Sequence, residues 1–481
     1  MVKVLESIKR HILPLILPTE EEIQKLQIIS DKLIRSLRAE AEKLDIFPSF
    51  IEKHGSTGIK QTQLAGTSDL DLFIGFDPSD YRNYLQLPAK QRKQALKDLF
   101  LEYVKDWYIP AAHQAGFSNY VLSYAEHPYL TVRHNQYEID IVGCFNLDLE
   151  YILVNGPITA VDRTPWHSRI VSERLNSAQK NDVRLLKAFF QANYVYGDKN
   201  TLGRFGFTGF SAEMLILFYS DLESVFRNFT NLDKSGIDFF GRPIQKLRKL
   251  HRFQDDYLII IDPVDKARNL ASSISERAYK YANYQINHFL KSPAPSFFIK
   301  KSLSLPSPKQ LSNIEPHLAT IELSSDGAVH YTELRDKLYS VAEKLRKILT
   351  KESDGTTRFG TSLFELYFEE PTFVIIFFCQ HTQLESTYLR KGPPPQKPHN
   401  VQQFLEKHPD AFLKDGFYYA PVQRAYLQPF SLITEFFQKA KPIKGLILTS
   451  ISNKPSSLVA QRAASLMLDY ILPLYGILPH D

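Results

Sequence analysis

Cysteine is almost missing from this 481-residue chain, which holds only Cys144 and Cys379. The two lie far apart, with no cysteine or histidine at ligand spacing, and this excludes a disulfide framework and a cysteine-based zinc centre. A reducing cytoplasm is the expected setting. Long hydrophobic runs are lacking as well. The apolar stretch at residues 11–17 is broken by Pro14 and Pro18, and falls well short of the roughly 20 residues that span a bilayer. No signal peptide and no membrane span are expected. Nor is there an excess of one charge: 58 Lys and Arg against 53 Asp and Glu leave +5, which permits a polyanionic partner without demanding one. No internal repeat is present. With 43% hydrophobic and 23% charged residues, a long disordered or collagen-like chain is excluded. At about 150 residues per domain the length predicts two to four domains.

What is present reads as an α+β, multidomain protein. Thr19-Glu20-Glu21-Glu22 has the form of a capping box, and Ile23, Leu26, Ile29, Leu33 and Leu37 follow at helical spacing, so a helix is expected to end near Asp45. Residues 69–76 alternate as a strand, 81–103 read as a basic helix, and 120–124, 129–134 and 137–145 read as strands. A first module over 1–150 follows. Helices are expected over 171–193, 211–229 and from about 267 to 290, with a buried strand at 257–262. Residues 291–309 concentrate Pro and Ser as a linker. Beyond it, a strand at 318–323, a helix at 332–350 and strands at 362–369 and 372–381 form a second α+β pattern.

The chemistry concentrates in Gly55-Ser56 and Asp69-Leu70-Asp71. Carboxylates at i and i+2 on a strand share one face roughly 6 to 7 Å apart, close enough to ligate one hard cation or two adjacent ones. An Asp-x-Asp pair alone is a weak signal, since many are solvated acids or caps. A Gly-Ser loop upstream supplies backbone N–H groups and a hydroxyl for a triphosphate, and Asp140 on the strand at 137–145 offers a third carboxylate. Divalent metal with these groups is nucleotidyl-transfer chemistry.

These elements resemble the archaeal class I CCA-adding enzymes, tRNA nucleotidyltransferases of the polymerase-beta-like superfamily. The resemblance extends through Tyr124-Ala125-Glu126-His127-Pro128-Tyr129, Ala160-Val161-Asp162-Arg163-Thr164-Pro165-Trp166-His167, Asp182-Val183-Arg184-Leu185-Leu186-Lys187, Val195-Tyr196-Gly197, Gly206-Phe207-Thr208-Gly209-Phe210, Asp262-Pro263-Val264-Asp265 with Arg268-Asn269, and Gly392-Pro393-Pro394. It covers about residues 20–410. Many nucleotidyltransferases share the first two elements but not the later ones, so the set is specific. The family loop reads Gly-Ser-x-Ala-Lys/Arg-Gly-Thr; residues 55–65 here are one residue longer, with Lys60 in the basic position. After residue 410 the match is loose.

The resemblance implies a nucleotidyltransferase head at 1–150, a mainly helical neck at 151–290, and an RNA-binding body and tail at 291–481. It implies addition of C, C and A to the 3′ end of immature or damaged tRNA from CTP and ATP, with Mg²⁺ on Asp69, Asp71 and Asp140, these three being catalytic. Gly55, Ser56, Lys60, His167, Lys187, Tyr196 and Arg268 would contact the nucleotide. The implied partners are the tRNA acceptor and T arms and a second copy of the chain. Plainer readings stay open: His167 as a cap, Lys187 on a solvated helix face, Tyr196 as an interior aromatic, Arg268 paired with Asp265. Two other functions stay open as well, another terminal nucleotidyltransferase and a tRNA-binding module with a decayed site.

Overall fold

The computed structural model describes residues 2–67, 69–124 and 126–477, so Ala125 of the 124–129 motif lies outside the described residues. The chain divides into two compact units. One comprises residues 1–197 and 207–300, the other 198–206 and 301–481.

In the first unit five strands form one sheet in the order β1-β2-β5-β4-β3. They are β1 (Phe50–His54), β2 (Asp69–Phe76), β3 (Tyr120–Tyr124), β4 (Pro128–His134) and β5 (Tyr137–Phe145). Only β2 and β5 pair in parallel. Alternation sends Leu70, Leu72, Ile74 and Phe76 of β2 and Ile139, Ile141 and Phe145 of β5 into a core covered by the Glu20–Lys43 and Ala89–Tyr103 helices. Asp69, Asp71 and Asp140 therefore face the other side. Trp107 ties the layers together, its indole Nε1 donating to Leu37 O at 2.7 Å.

The Thr19 capping box forms as read, Glu22 N donating to Thr19 Oγ1 at 3.2 Å and Thr19 N to Glu22 Oε2 at 2.7 Å. Pro14, read as a break, instead sits inside the Val2–Ile16 helix. Near the C-terminal end, one missing ladder donor is tolerated. The helix expected at 171–193 is two, Thr164–Arg174 and Ser177–Ala192, because Asn176 caps the second through a box with Gln179. The span 211–229 also divides, into Gly209–Tyr219 and Leu222–Asn228, at Ser220 with φ of 78°. Residues 257–262 form isolated bridges rather than a strand, since Ile261 N bonds Ile237 O and Ile260 N bonds the Asn269 side chain. The helix expected from 267 starts only at Glu276 and ends at Lys291.

The second unit holds β6 (Leu318–Ser325), β7 (Ser362–Glu369), β8 (Thr372–Cys379) and β12 (Leu446–Ser452) in the order β12-β6-β8-β7. The Tyr331–Thr350 and Pro429–Lys439 helices pack on one face. A smaller sheet, β10-β11-β9, is built from β9 (Thr387–Lys391), β10 (Phe412–Lys414) and β11 (Phe417–Gln423). No helix among the described residues is long and apolar enough to cross a membrane.

Candidate nucleotide site

The parallel register of β2 and β5 sets Asp71 opposite Asp140 and Asp69 opposite Glu138. Burial and then the neighbouring Asp140 charge push the Asp71 carboxyl up to about 6, against the pull of Lys60. Burial raises Asp140 as well, while Thr131 on β4 donates to its Oδ1 at 2.7 Å and holds it in place. Ser123 on β3 lies 2.9 Å from the Thr131 hydroxyl, so a polar chain backs Asp140. Asp69 is more open and lies one pleat back. Among the described residues no three acidic or imidazole groups stand close enough to form a ready-made metal cage. The Asp71 and Asp140 pair nonetheless fits a hard divalent cation: its donors are carboxylate oxygens whose mutual repulsion a cation would relieve, and Mg²⁺ commonly takes one or two carboxylates besides phosphate and water.

Gly55 carries the following loop directly over Asp71. Its φ is 70°, and a Cβ at this position would stand 2.0 Å from Asp71 Oδ2, so no side chain fits there. Thr57 Oγ1 donates to Asp69 O at 2.7 Å, and Thr62 N to Ser56 O at 3.0 Å. The loop reaches Lys60, which is buried.

There the structure supplies a residue that the sequence reading missed, Glu213. Its Oε2 accepts from Lys60 Nζ at 2.9 Å, and its Oε1 from Lys187 Nζ at 3.1 Å and from Thr62 Oγ1 at 2.6 Å. Burial would raise this carboxyl, but Lys60 and then Lys187 overcome it and hold it at about 2. Burial lowers the Lys187 pKa, with the Lys60 charge adding to the effect. Two ammonium groups on one carboxylate leave a net positive charge in a nearly dry pocket, the complement of a polyphosphate. Lys187 is accordingly not the solvated helix residue of the plainer reading. Gly209 lets the next helix approach, since a Cβ there would come within 3.1 Å of Tyr196 Oη and 3.4 Å of Lys187 Nζ.

Phe210 joins the remaining residues. Lys60 Nζ lies 4.6 Å from its ring centroid, and the centroid of the His167 ring lies 4.2 Å from it. His167 is delivered by the turn before its helix, where Asp162 accepts from Phe145 N, Thr159 N and Thr159 Oγ1. His167 Nε2 contacts Asp262 at 2.9 Å. An ionised carboxylate only accepts, so Nε2 carries the proton. Burial lowers the His167 pKa despite Asp262. Asp262, raised by burial, is brought to about 2 by His167, the Val264 N–H and Arg268.

Arg268 donates to Asp262 Oδ2 at 2.9 Å, not to Asp265, which instead accepts from Arg163 Nε at 2.9 Å. The Arg268 side chain stays 42% exposed, leaving donors for a ligand. A cavity of about 570 Å³ opens beside it, lined by Phe210, Arg163, Arg252, Asp265 and Asn269 among others. All ten residues singled out in the sequence lie in the first unit. Lys60, Lys187, His167 and Arg268 are chained together through Glu213, Phe210 and Asp262, and Gly55, Asp71 and Asp140 form a second group.

Two family models match the chain. Residues 181–299 match the second domain of tRNA nucleotidyltransferase and residues 334–448 the C-terminal domain of CCA-adding enzyme. The class is that of the tRNA nucleotidyltransferases. The CCA-adding enzyme of Methanosarcina mazei is 26% identical over 442 residues, 89% of each chain, and that of Methanocaldococcus jannaschii 28% identical over 436 residues, again 89% of each. The enzyme of Methanothermobacter thermautotrophicus is 29% identical over 83% of this chain and 81% of its own. This chain belongs to the family of archaeal CCA-adding enzymes. Among solved structures, a cytoplasmic RNA terminal U-transferase is 13% identical with a TM-score of 0.43, over 63% of this chain and 99% of that one.

Proposed function

We propose that this protein adds C, C and A to the 3′ end of immature or damaged tRNA, using CTP and ATP and releasing pyrophosphate. One observation carries the reading: the Asp71 and Asp140 pair under the Gly55 loop lies within the field of the same Lys60 that Glu213 holds beside Lys187. Acidic groups for a cation and basic groups for a triphosphate thus share one site.

A divalent metal serves this family, and we assign Mg²⁺ here, held by Asp71 and Asp140 with Asp69 joining. When bound, it supplies charge neutralisation at the phosphates and eases ionisation of the terminal ribose hydroxyl. Asp140, braced by Thr131, keeps a carboxylate oxygen directed at that hydroxyl. Ser56 and the loop N–H groups receive the triphosphate, and Lys60 supplies its counter-charge. Lys187 has three N–H donors, and Thr62 O, Thr62 Oγ1 and Glu213 Oε1 take all three. It can bond a phosphate only by releasing one of them. Tyr196 and His167 flank the nucleotide, and Arg268 presents its free donors to the base.

The head, neck and RNA-binding body proposed at 1–150, 151–290 and 291–481 would grip the acceptor and T arms through shape and phosphates. The setting is a cytoplasmic homodimer. The reading is tested by incubating the protein with Mg²⁺, CTP, ATP and a tRNA transcript ending at the discriminator base: the product should be three nucleotides longer, and an unextended transcript would refute it.

Arg268→Ala should lower incorporation of both CTP and ATP by roughly tenfold or more while tRNA affinity stays unchanged, because the change removes exposed donors and no core volume. Single-turnover rates measured beside tRNA binding decide it. Unchanged rates for both nucleotides would remove Arg268 from the site.

A further inference from the structure

The loop bearing Ser56 and Lys60 is gripped by two cations of one helix. Arg184 and Lys187 stand one turn apart on the Ser177–Ala192 helix and so face the same side. Arg184 Nε donates to Gln63 O at 2.9 Å and its Nη2 to Gln61 O at 2.6 Å, while Lys187 Nζ donates to the intervening Thr62 O at 3.0 Å. Three successive carbonyls are taken by charged donors. Arg184 Nη1 donates back to Asn181 Oδ1 at 2.9 Å, which orients the fork from its own helix. Gln61 is held at φ of 53°, a conformation that a residue with a side chain adopts only when its surroundings impose it.

Ala65 N bonds Ile16 O at 2.7 Å and Gly66 N bonds Glu22 Oε1 at 2.9 Å, so the far end of the loop is fixed. At the near end the Thr62 N bond to Ser56 O passes any displacement of residues 61–63 to the serine.

We propose that Arg184 is a positioning residue for the nucleotide: it touches no phosphate, and its fork holds Gln61 to Gln63 so that Ser56 and Lys60 stay where the triphosphate arrives. The proposal rests on the reading of this loop as the triphosphate site. A lysine at 184 has one nitrogen where the arginine fork places two, Nε and Nη2, on separate carbonyls, whereas methionine keeps the bulk and donates nothing.

The test uses the full chain with Arg184→Met and Arg184→Lys. For Arg184→Met the KM for CTP and ATP should rise about tenfold with kcat at saturating tRNA within about threefold, the signature of lost nucleotide binding, with tRNA affinity unchanged. Arg184→Lys should fall between. Amide hydrogen exchange without nucleotide should speed up in peptides covering residues 57–66 and stay unchanged in β2 and β5. Unchanged exchange at 57–66, or loss of protection throughout the first unit in both variants, would overturn the proposal. A parent protein that extends no tRNA would refute the proposed function separately, and the exchange comparison would still decide whether Arg184 holds the loop.

Discussion

Asp140→Asn is expected to slow single-turnover addition of one CMP, at saturating tRNA, by about 10³-fold or more, equivalent to several kcal/mol in the transition state. Asparagine keeps the size, and its carbonyl oxygen can still accept the Thr131 hydroxyl, so a misplaced side chain would not explain the loss. What disappears is the charge beside Asp71, and with it the affinity for Mg²⁺ and for a deprotonating ribose hydroxyl. Asp140 lies on the site face of β5, away from the apolar core of that sheet, so tRNA affinity and thermal stability should remain near the parent's. A rate within about fivefold of the parent, less than roughly 1 kcal/mol, would remove Asp140 from the catalytic set.

Glu213→Gln should destabilise the protein by about 3 to 5 kcal/mol, because it leaves Lys60 and Lys187 buried beside a neutral partner. Urea unfolding would measure this. The pH dependence distinguishes loss of charge from loss of shape. The folded-state pKa of Glu213, about 2, lies below its ordinary value of 4.5, so its contribution is complete above about 4.5 and is lost as pH falls toward 2. The gap in stability between parent and Glu213→Gln should narrow over that window. Parallel curves would show that the carboxylate charge does not hold the two lysines.

Where one period or one short motif decides an element, the sequence sufficed. β7 matches its expected span, the Thr19 box starts its helix as read, and the alternation of residues 69–76 put Asp69 and Asp71 on a face opposite the core. Where a local hydrogen bond competes with periodicity, it did not. Asn176 with Gln179 restarts a helix inside an apolar pattern that reads as continuous, and the Asn269 side chain takes the Ile260 N–H that a sheet partner would have taken. Long-range pairing was equally hidden. The Asp265 to Arg268 spacing suggested a local ion pair, but the fold brings Asp262 and Arg163 to these residues instead.

Glu213 shows why part of the site escaped notice. It sits in Gly209–Tyr219, next to Met214, Leu215 and Ile216, and that helix reads as core. The available signal was its cost: a carboxylate in an apolar helix is almost never buried without a cation, so it called for a partner such as Lys60 or Lys187. Phe210 was quoted within a motif, yet no spacing indicates that its ring contacts both Lys60 and His167.

The central claim, that one site builds a defined trinucleotide, is tested most directly by sequencing the 3′ ends formed on a tRNA transcript that stops at the discriminator base. The protein, Mg²⁺ and all four nucleoside triphosphates at equal concentration are supplied, with CTP alone in a parallel reaction. Ends reading CCA and no further in the first reaction, and two cytidines in the second, are the predicted result. Uridine or guanosine incorporated as readily, a homopolymer tail, or unextended tRNA would contradict it.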